Sequence, residues 1–349
     1  MAVHPIAKLR AQSFGPFEEI QVNLAPGLNV IVGDNATGKS QLLKLLYSGT
    51  SVLTHADSLT KSEISGAMAG KLMGVFRPQA LGRLSRRARG TTTTSVEMKF
   101  DQIGDPFRFG FSSRSRSEAQ IAEVPNKPLQ DEPVFLPSHE LLSLGASFTA
   151  LYNTRETPFE ETWRDTVDLL LRPALRGPRG LEANSVMTPF SELLDGGRVA
   201  EQNGQFILQQ PEVGNLEASL LAEGHRKLAM VMRLISNGVL LAGGYLFWDE
   251  PEANLNPRSQ RAVSQALLTL AQQGSQIFVT THSMFLLREL VMSDLEVPIR
   301  YIGLSRDQSS DLASPGAPVV AQSEENLEDL GLFAALKAEA EQSDRYLAW

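Results

Sequence analysis

The chain has 349 residues, 42% of them apolar and 21% charged, with a formal net charge of −8 at pH 7. That length buries a large core and suggests two lobes or one elaborated α/β domain. There is no cysteine, which excludes disulfides and thiolate zinc sites, and the negative charge argues against indiscriminate nucleic-acid binding by the whole surface.

No apolar run approaches the ~20 residues of a membrane span, and Met1 to Arg10 lacks the apolar core of a signal peptide, so a cytoplasmic location with no membrane contact is expected. Residues 6–24 read as a two-stranded ribbon turning at Gly15-Pro16. The apolar run Leu28-Asn29-Val30-Ile31-Val32 then leads into Gly33-Asp34-Asn35-Ala36-Thr37-Gly38-Lys39-Ser40, and a helical run from Gln41 to Leu46 follows. A complete G-x-x-x-x-G-K-S loop between a strand and a helix is the setting that a phosphate-binding motif requires. Gly33 and Gly38 let the backbone curl so that successive N–H groups converge on one phosphate, and the helix N-terminus adds partial positive charge. Lys39 is expected to reach the β- and γ-phosphates, with the Ser40 hydroxyl on Mg²⁺. The alternative, a glycine turn before a surface helix, does not need the strand on one side and the lysine on the other.

From Gly49 to Lys127 the chain reads as less regular, with alternating segments at Val96–Phe100 and Phe107–Phe111. Val134-Phe135-Leu136 is a core strand ending at Pro137; residues 138–175 are helical, broken at Thr157-Pro158 and stopped near Arg176-Gly177-Pro178. A hairpin turns at Asn203-Gly204, and residues 216–241 have helical spacing. The apolar strand Tyr245-Leu246-Phe247-Trp248 runs into Asp249-Glu250. Carboxylates at the C-terminal end of a buried strand are where an α/β sheet presents chemical groups. Asp249 is expected to hold the Mg²⁺ shell and Glu250 to act as general base on water, whereas a solvated turn is the plainer alternative. A helix then opens at Pro257 and closes at Gly274; strands at 276–280 and 299–304, a helix at 284–292 and an acidic C-terminal helix complete the chain. His282 follows a buried strand, so its imidazole can reach toward a γ-phosphate from the sheet edge, although a lone histidine is often a satisfied turn residue.

Several separated segments resemble the ABC-type ATPases. Residues 249–257 (Asp-Glu-Pro-Glu-Ala-Asn-Leu-Asn-Pro) are similar to that family's Walker B and D-loop, and Thr280-Thr281-His282-Ser283 to its switch-histidine segment. Leu221-Ala222-Glu223-Gly224-His225-Arg226-Lys227, with Gly224 25 residues before Asp249, stands where the family carries its signature motif. The resemblance implies ATP and Mg²⁺ as ligands, with Gly33, Asp34, Asn35, Ala36, Thr37, Gly38, Lys39, Ser40 and Gln41 around the phosphates. It implies Ser40 and Asp249 on the metal, and Lys39, Glu250 and His282 in catalysis. It further implies that Glu223 and Gly224 cap the ATP of a second subunit, in a head-to-tail homodimer. Two departures stand out. The signature serine is replaced by Ala222, leaving Arg226 and Lys227 to supply positive charge, and the glutamine expected after the first lobe's strand is missing from Pro137-Ser138-His139-Glu140. Both weaken a transporter reading, and the 210 residues between Lys39 and Asp249 argue against a small-molecule kinase.

The loop and signature sequences look like the stand-alone prokaryotic branch related to OLD (overcoming-lysogenisation-defect), SMC and RecF proteins. The expected fold is therefore α/β, a P-loop NTPase of ABC-ATPase type, with a mixed central sheet, an antiparallel β subdomain and an inserted helical lobe. Residues 1–137 form the nucleotide lobe, 138–215 the helical lobe with its hairpin, and 216–349 the signature, Walker B and switch segment of one composite domain. With only 67 residues after His282 and no clustered metal-binding carboxylates there, a fused nuclease is not expected, and an effector (nuclease or toxin) would be a separate protein. The expected function is an ATPase whose dimer controls that effector in DNA repair or anti-phage defence; a nucleotide-sensing scaffold with little turnover is the alternative. Between Glu63 and Glu97 there is no acidic residue, yet Lys71, Arg77, Arg83, Arg86, Arg87 and Arg89 all fall there. This segregation suits a phosphate backbone, an acidic partner, the second subunit's ATP, or a solvated loop pairing with the chain's own acids.

Overall fold

Strands apolar on both faces must be covered on both, and that need organises this chain. The computed structural model describes residues 2–87, 89–155, 157–176, 178–241, 243–306, 317–330, 341–342 and 344–349. In chain order the elements are β1 (Ile6–Phe14), β2 (Phe17–Asn23), β3 (Leu28–Gly33), α1 (Lys39–His55), α2 (Lys61–Phe76), β4 (Thr93–Phe100), β5 (Phe107–Ser112), β6 (Gln120–Glu123) and β7 (Pro133–Leu136). There follow α3 (Gly145–Thr154), α4 (Glu161–Leu170), α5 (Pro178–Leu193), β8 (Arg198–Gln202), β9 (Gln205–Gln210), β10 (Gly214–Glu217) and α6 (Glu223–Ser236). The last part carries β11 (Gly244–Asp249), α7 (Pro257–Gln272), β12 (Ser275–Thr281), α8 (Met284–Val291), β13 (Ile299–Arg306) and β14 (Val319–Glu324).

The central sheet has the order β14-β13-β3-β12-β11-β7, with β14 antiparallel and every other neighbouring pair parallel. Side chains alternate across it, as strand geometry requires. Val30, Val134, Leu246, Trp248, Ile277 and Val279 face one apolar cluster with the helices α4 to α8. Ile31, Phe135, Tyr245, Phe247 and Phe278 face the other, which is built with α1, α2 and the antiparallel sheet β2-β1-β4-β5-β6. A small sheet, β10-β9-β8, completes the fold, and its Asn203 and Gly204 both have positive φ (54° and 79°), the conformation of a two-residue hairpin turn.

Phe247 is fully buried, stacked on Phe278 with centroids 4.9 Å apart. Phe247→Ala should destabilise the fold by ~3–5 kcal/mol, read as a lower urea midpoint with an unchanged slope. A loss below about 1 kcal/mol would contradict the placement of this ring between sheet and helices.

Four sequence expectations need correction. The stretch expected to be irregular contains the end of α1 and all of α2, whose buried Ile64, Met68, Leu72 and Val75 keep helical spacing although Gly66, Gly70 and Gly74 lower the local propensity. Pro178 opens α5 rather than stopping a helix, since the first helical position needs no N–H. The helix expected from 216 begins only at Glu223, after β10. The edge strand β14 has no counterpart among the expected elements. The expected acidic C-terminal helix falls largely on residues 331–340, outside the described residues.

Candidate nucleotide site

The loop between β3 and α1 is shaped by glycines that nothing larger could replace. Gly38 has φ 92°, and a Cβ there would lie 2.6 Å from Pro16 Cγ and 2.9 Å from Phe17 Cζ, so the ribbon turn presses directly on the loop. A Cβ on Gly33 would lie 2.4 Å from the Leu304 carbonyl oxygen. Gly38 has no side chain to cap α1, so among the described residues the first N–H groups of the helix meet no N-cap side chain, the arrangement that receives an anion. Asp34, Asn35, Ala36 and Gln41 are exposed, while the Thr37 hydroxyl closes the loop on the Asp34 carbonyl at 2.8 Å. Lys39 is 6% exposed and folds back, its Nζ donating to the carbonyls of Gly33 (2.8 Å) and Asp34 (3.2 Å).

Strand order brings the second half of the site alongside. β12 lies between β3 and β11, with Val32 opposite Thr281 and Asp249 opposite Thr280, so three strand ends share one edge. The Ser40 hydroxyl donates to Asp249 Oδ1 at 2.9 Å, and the Thr280 hydroxyl donates to the same oxygen at 2.5 Å. A hydroxyl and a carboxylate at this separation, beside open N–H groups and a buried ammonium, form a hard-oxygen donor set that fits Mg²⁺ with a nucleotide's phosphates. A pocket of about 380 Å³ adjoins Asp249, lined by Lys44, Pro137, Ser138, His139 and Trp163 among others.

Glu250 has φ 46°, the left-handed conformation that costs a residue with a Cβ roughly 1–2 kcal/mol. Its N–H is held by the Thr280 hydroxyl (3.0 Å) and carbonyl (3.2 Å). His282 Nδ1 stands 3.6 Å from both Glu250 Oε1 and Glu252 Oε1. Glu252, only 5% exposed, accepts from the Thr281 hydroxyl (2.6 Å) and the His282 N–H (3.0 Å). Sequence reasoning misses Glu252; a carboxylate two residues after Glu250 is the available signal, but nothing local shows that it turns inward.

The structure places Gly224 at the start of α6, where a Cβ would lie 2.6 Å from the Asn254 carbonyl oxygen. Glu223 is partly exposed, 3.8 Å from His139 Nδ1, and Ala222 occupies the N-cap with no side-chain hydrogen bond. Arg226 and Lys227 do not offer outward charge as expected. Arg226 pairs with the buried Glu140 at 2.6 Å and donates to the Leu221 carbonyl at 2.7 Å. Lys227 is 1% exposed and donates to the carbonyls of Ser138 (2.9 Å), Glu250 (2.8 Å) and Ala253 (3.2 Å). Burial pushes its ammonium down to about 8, desolvation outweighing the pull of Glu252, Glu250, Asp249 and Glu223.

The arginine-rich stretch also shrinks as a surface. Lys71 pairs with Glu161 (2.9 Å) and Asp165 (2.7 Å) and lies over the Tyr47 ring, because α2 packs against α4 and meets its acids there. Arg77 donates to the Thr157 carbonyl, and Arg86 to that of Pro16 at 2.7 Å. Arg83, Arg87 and Arg89 are exposed.

A family model described as "AAA domain, putative AbiEii toxin, Type IV TA system" matches residues 97–288, and one described as "AAA domain" matches residues 8–132. A DNA replication and repair protein RecF from Limosilactobacillus fermentum is 40% identical over 42 residues, which is 12% of this chain and only 11% of that relative's length. Two solved SMC heads share the fold at 13% identity and a TM-score of 0.57. One, bound to the C-winged helix domain of ScpA, aligns over 94% of this chain and 99% of its own. The other, with an extended coiled coil and the C-terminal domain of ScpA derived from Pyrococcus furiosus, aligns over 98% and 100%.

Proposed function

The chain belongs to this AAA-domain family, whose model spans more than half of its 349 residues, and from that premise we propose that it hydrolyses ATP as an ABC-type ATPase. The observation that supports this most is the 2.9 Å hydrogen bond from Ser40 to Asp249, which joins two motifs 209 residues apart at one sheet edge. In this reading residues 33–41 cradle the phosphates through their N–H groups, and Lys39 exchanges its two carbonyl partners for the β- and γ-phosphates. Ser40 and Asp249 hold Mg²⁺, which when bound neutralises charge developing on the phosphates. Glu250 takes the proton of the attacking water, and His282 steadies the γ-phosphate side of the site. Measuring Mg²⁺-dependent phosphate release tests the reading; no turnover that depends on Lys39 would end it.

At a finer level, the chain acts as an ATP-sandwiched homodimer, with Glu223 and Gly224 of one subunit facing the nucleotide of the other. It controls a separate effector, a nuclease or toxin, in DNA repair or anti-phage defence. Support comes from the toxin–antitoxin description of the family and from the repair role in the RecF relative's name. Residues 1–137, 138–215 and 216–349 are then parts of one composite ATPase. A cytoplasmic location goes with this reading; among the described residues no helix is long and apolar enough to cross a membrane. The second reading, a nucleotide-sensing scaffold, is favoured by Ala222, which has no hydroxyl to offer at the α6 N-cap. Steady-state turnover at millimolar ATP separates the two.

Nucleic acid, if bound, meets the exposed arginines. Neutralising Arg83, Arg87 and Arg89 together should weaken duplex binding irrespective of sequence. It should also flatten log affinity against log salt by ~0.9 for each duplex phosphate that is no longer neutralised. Basal ATP turnover should persist. Unchanged binding and slope would leave these arginines as a solvated or protein-docking surface.

A further inference from the structure

The turn after β11 is held from two sides by buried charged residues. It runs from Glu250 (φ 46°) to Asn254 (φ 62°), both left-handed, and its own hydrogen bonds are Ala253 N–H to the Glu250 carbonyl (3.1 Å) and Leu255 N–H to the Glu252 carbonyl (3.0 Å). With the Glu250 N–H on Thr280, these bonds anchor the start of the turn but not residues 251–254, and strained conformations persist only where the surroundings enforce them. Lys227 supplies one side. An ammonium has three donors, and Lys227 spends all three on carbonyls: two in this turn and one at Ser138, just beyond β7. Glu252 supplies the other, tying the turn to the end of β12 through Thr281 and the His282 N–H. Its second oxygen is buried and without a hydrogen-bond partner among the described residues.

For folding alone this is a costly choice, since well-packed apolar side chains in place of buried charges are often neutral or stabilising. What the two residues do is bond the Glu250 and Ala253 carbonyls on one side and Thr281 and the His282 N–H on the other, flanking the 3.6 Å gap between Glu250 Oε1 and His282 Nδ1. Lys227 also lies one helical turn after Gly224, which presses on the Asn254 carbonyl, so the start of α6 and the turn form one mechanical unit. We propose that Lys227 and Glu252 are positioning residues for ATP hydrolysis: together they clamp the 250–254 turn so that Glu250 stays beside His282, and they link that pair to the start of α6. This rests on the ATPase reading above.

The test is steady-state kinetics on the full chain, with thermal melting as a check on folding. Lys227→Met should lower kcat by about 100-fold, the effect of misplacing a reacting group by about an ångström, with KM for ATP within about twofold. Glu252→Ala should fall similarly, and Glu252→Gln, which keeps an acceptor oxygen for Thr281 and His282, should recover most of the loss. Folded Lys227→Met and Glu252→Ala proteins with kcat within about threefold of wild type overturn the clamp. So does a parallel fall of kcat, ATP affinity and melting temperature, which marks a purely structural role. If Lys227→Met does not fold, the alanine and glutamine variants of Glu252 decide by the same readouts. Absence of Lys39-dependent turnover in the wild type overturns the ATPase reading and the clamp with it, whereas normal wild-type turnover with unaffected variants overturns the clamp alone.

Discussion

Lys39→Ala should weaken ATP binding by at least about 30-fold while leaving the fold intact. The Lys39 ammonium is buried and, among the described residues, donates to the Gly33 and Asp34 carbonyls, which keeps its charge within the loop. Removing one partner of a buried charge-assisted pairing costs roughly 2–5 kcal/mol, about 30-fold to several-thousand-fold in affinity. Titration calorimetry with Mg²⁺ and ATP measures it directly, and a melting curve confirms that the variant is folded. A folded Lys39→Ala protein with wild-type affinity would remove the phosphate-loop assignment.

Glu250→Gln keeps ATP binding and loses hydrolysis. The amide has the shape of the carboxylate and leaves the N–H bonds to Thr280 in place, but it cannot accept a proton from water. Loss of a positioned general base lowers kcat by ~10²–10⁴-fold. Because the nucleotide then persists, the variant should sediment as a dimer with ATP and as a smaller species without it. Turnover at the wild-type rate would show that Glu250 is not the base, and an ATP-independent sedimentation profile would count against the sandwiched dimer. The two variants separate binding from chemistry: the first fails in both assays, the second in one.

Much of the α/β frame is readable in advance because its signals are local. β3, β7, β11 and β12 are short apolar runs, bounded at least at one end by turn residues, that must be covered on both faces, and the Asn203-Gly204 turn needs positive φ that few other pairs adopt as easily. Helix α2 escapes because three glycines mask its period, and it is stabilised by packing of Ile64, Met68 and Leu72 rather than by propensity. β14 escapes because an edge strand facing solvent on one side has too few apolar residues to announce itself.

The candidate site divides in the same way. The sequence alone locates a glycine-rich loop between a strand and a helix, and a pair of carboxylates and a histidine at strand ends. Each depends only on residue type and on the few neighbours that place it at the end of a strand. Which charges face outward was decided only by tertiary packing. Lys71 looks like part of a basic surface until α2 meets Glu161 and Asp165, 90 and 94 residues away, and Arg226 looks free until it meets Glu140, 86 residues away. Lys227 and Glu252 become a clamp only when α6, β11 and β12 converge on one turn. Charge along a chain is additive, but whether a given charge is solvated, paired or buried depends on what the fold brings within hydrogen-bonding distance, and that information is not local to any segment.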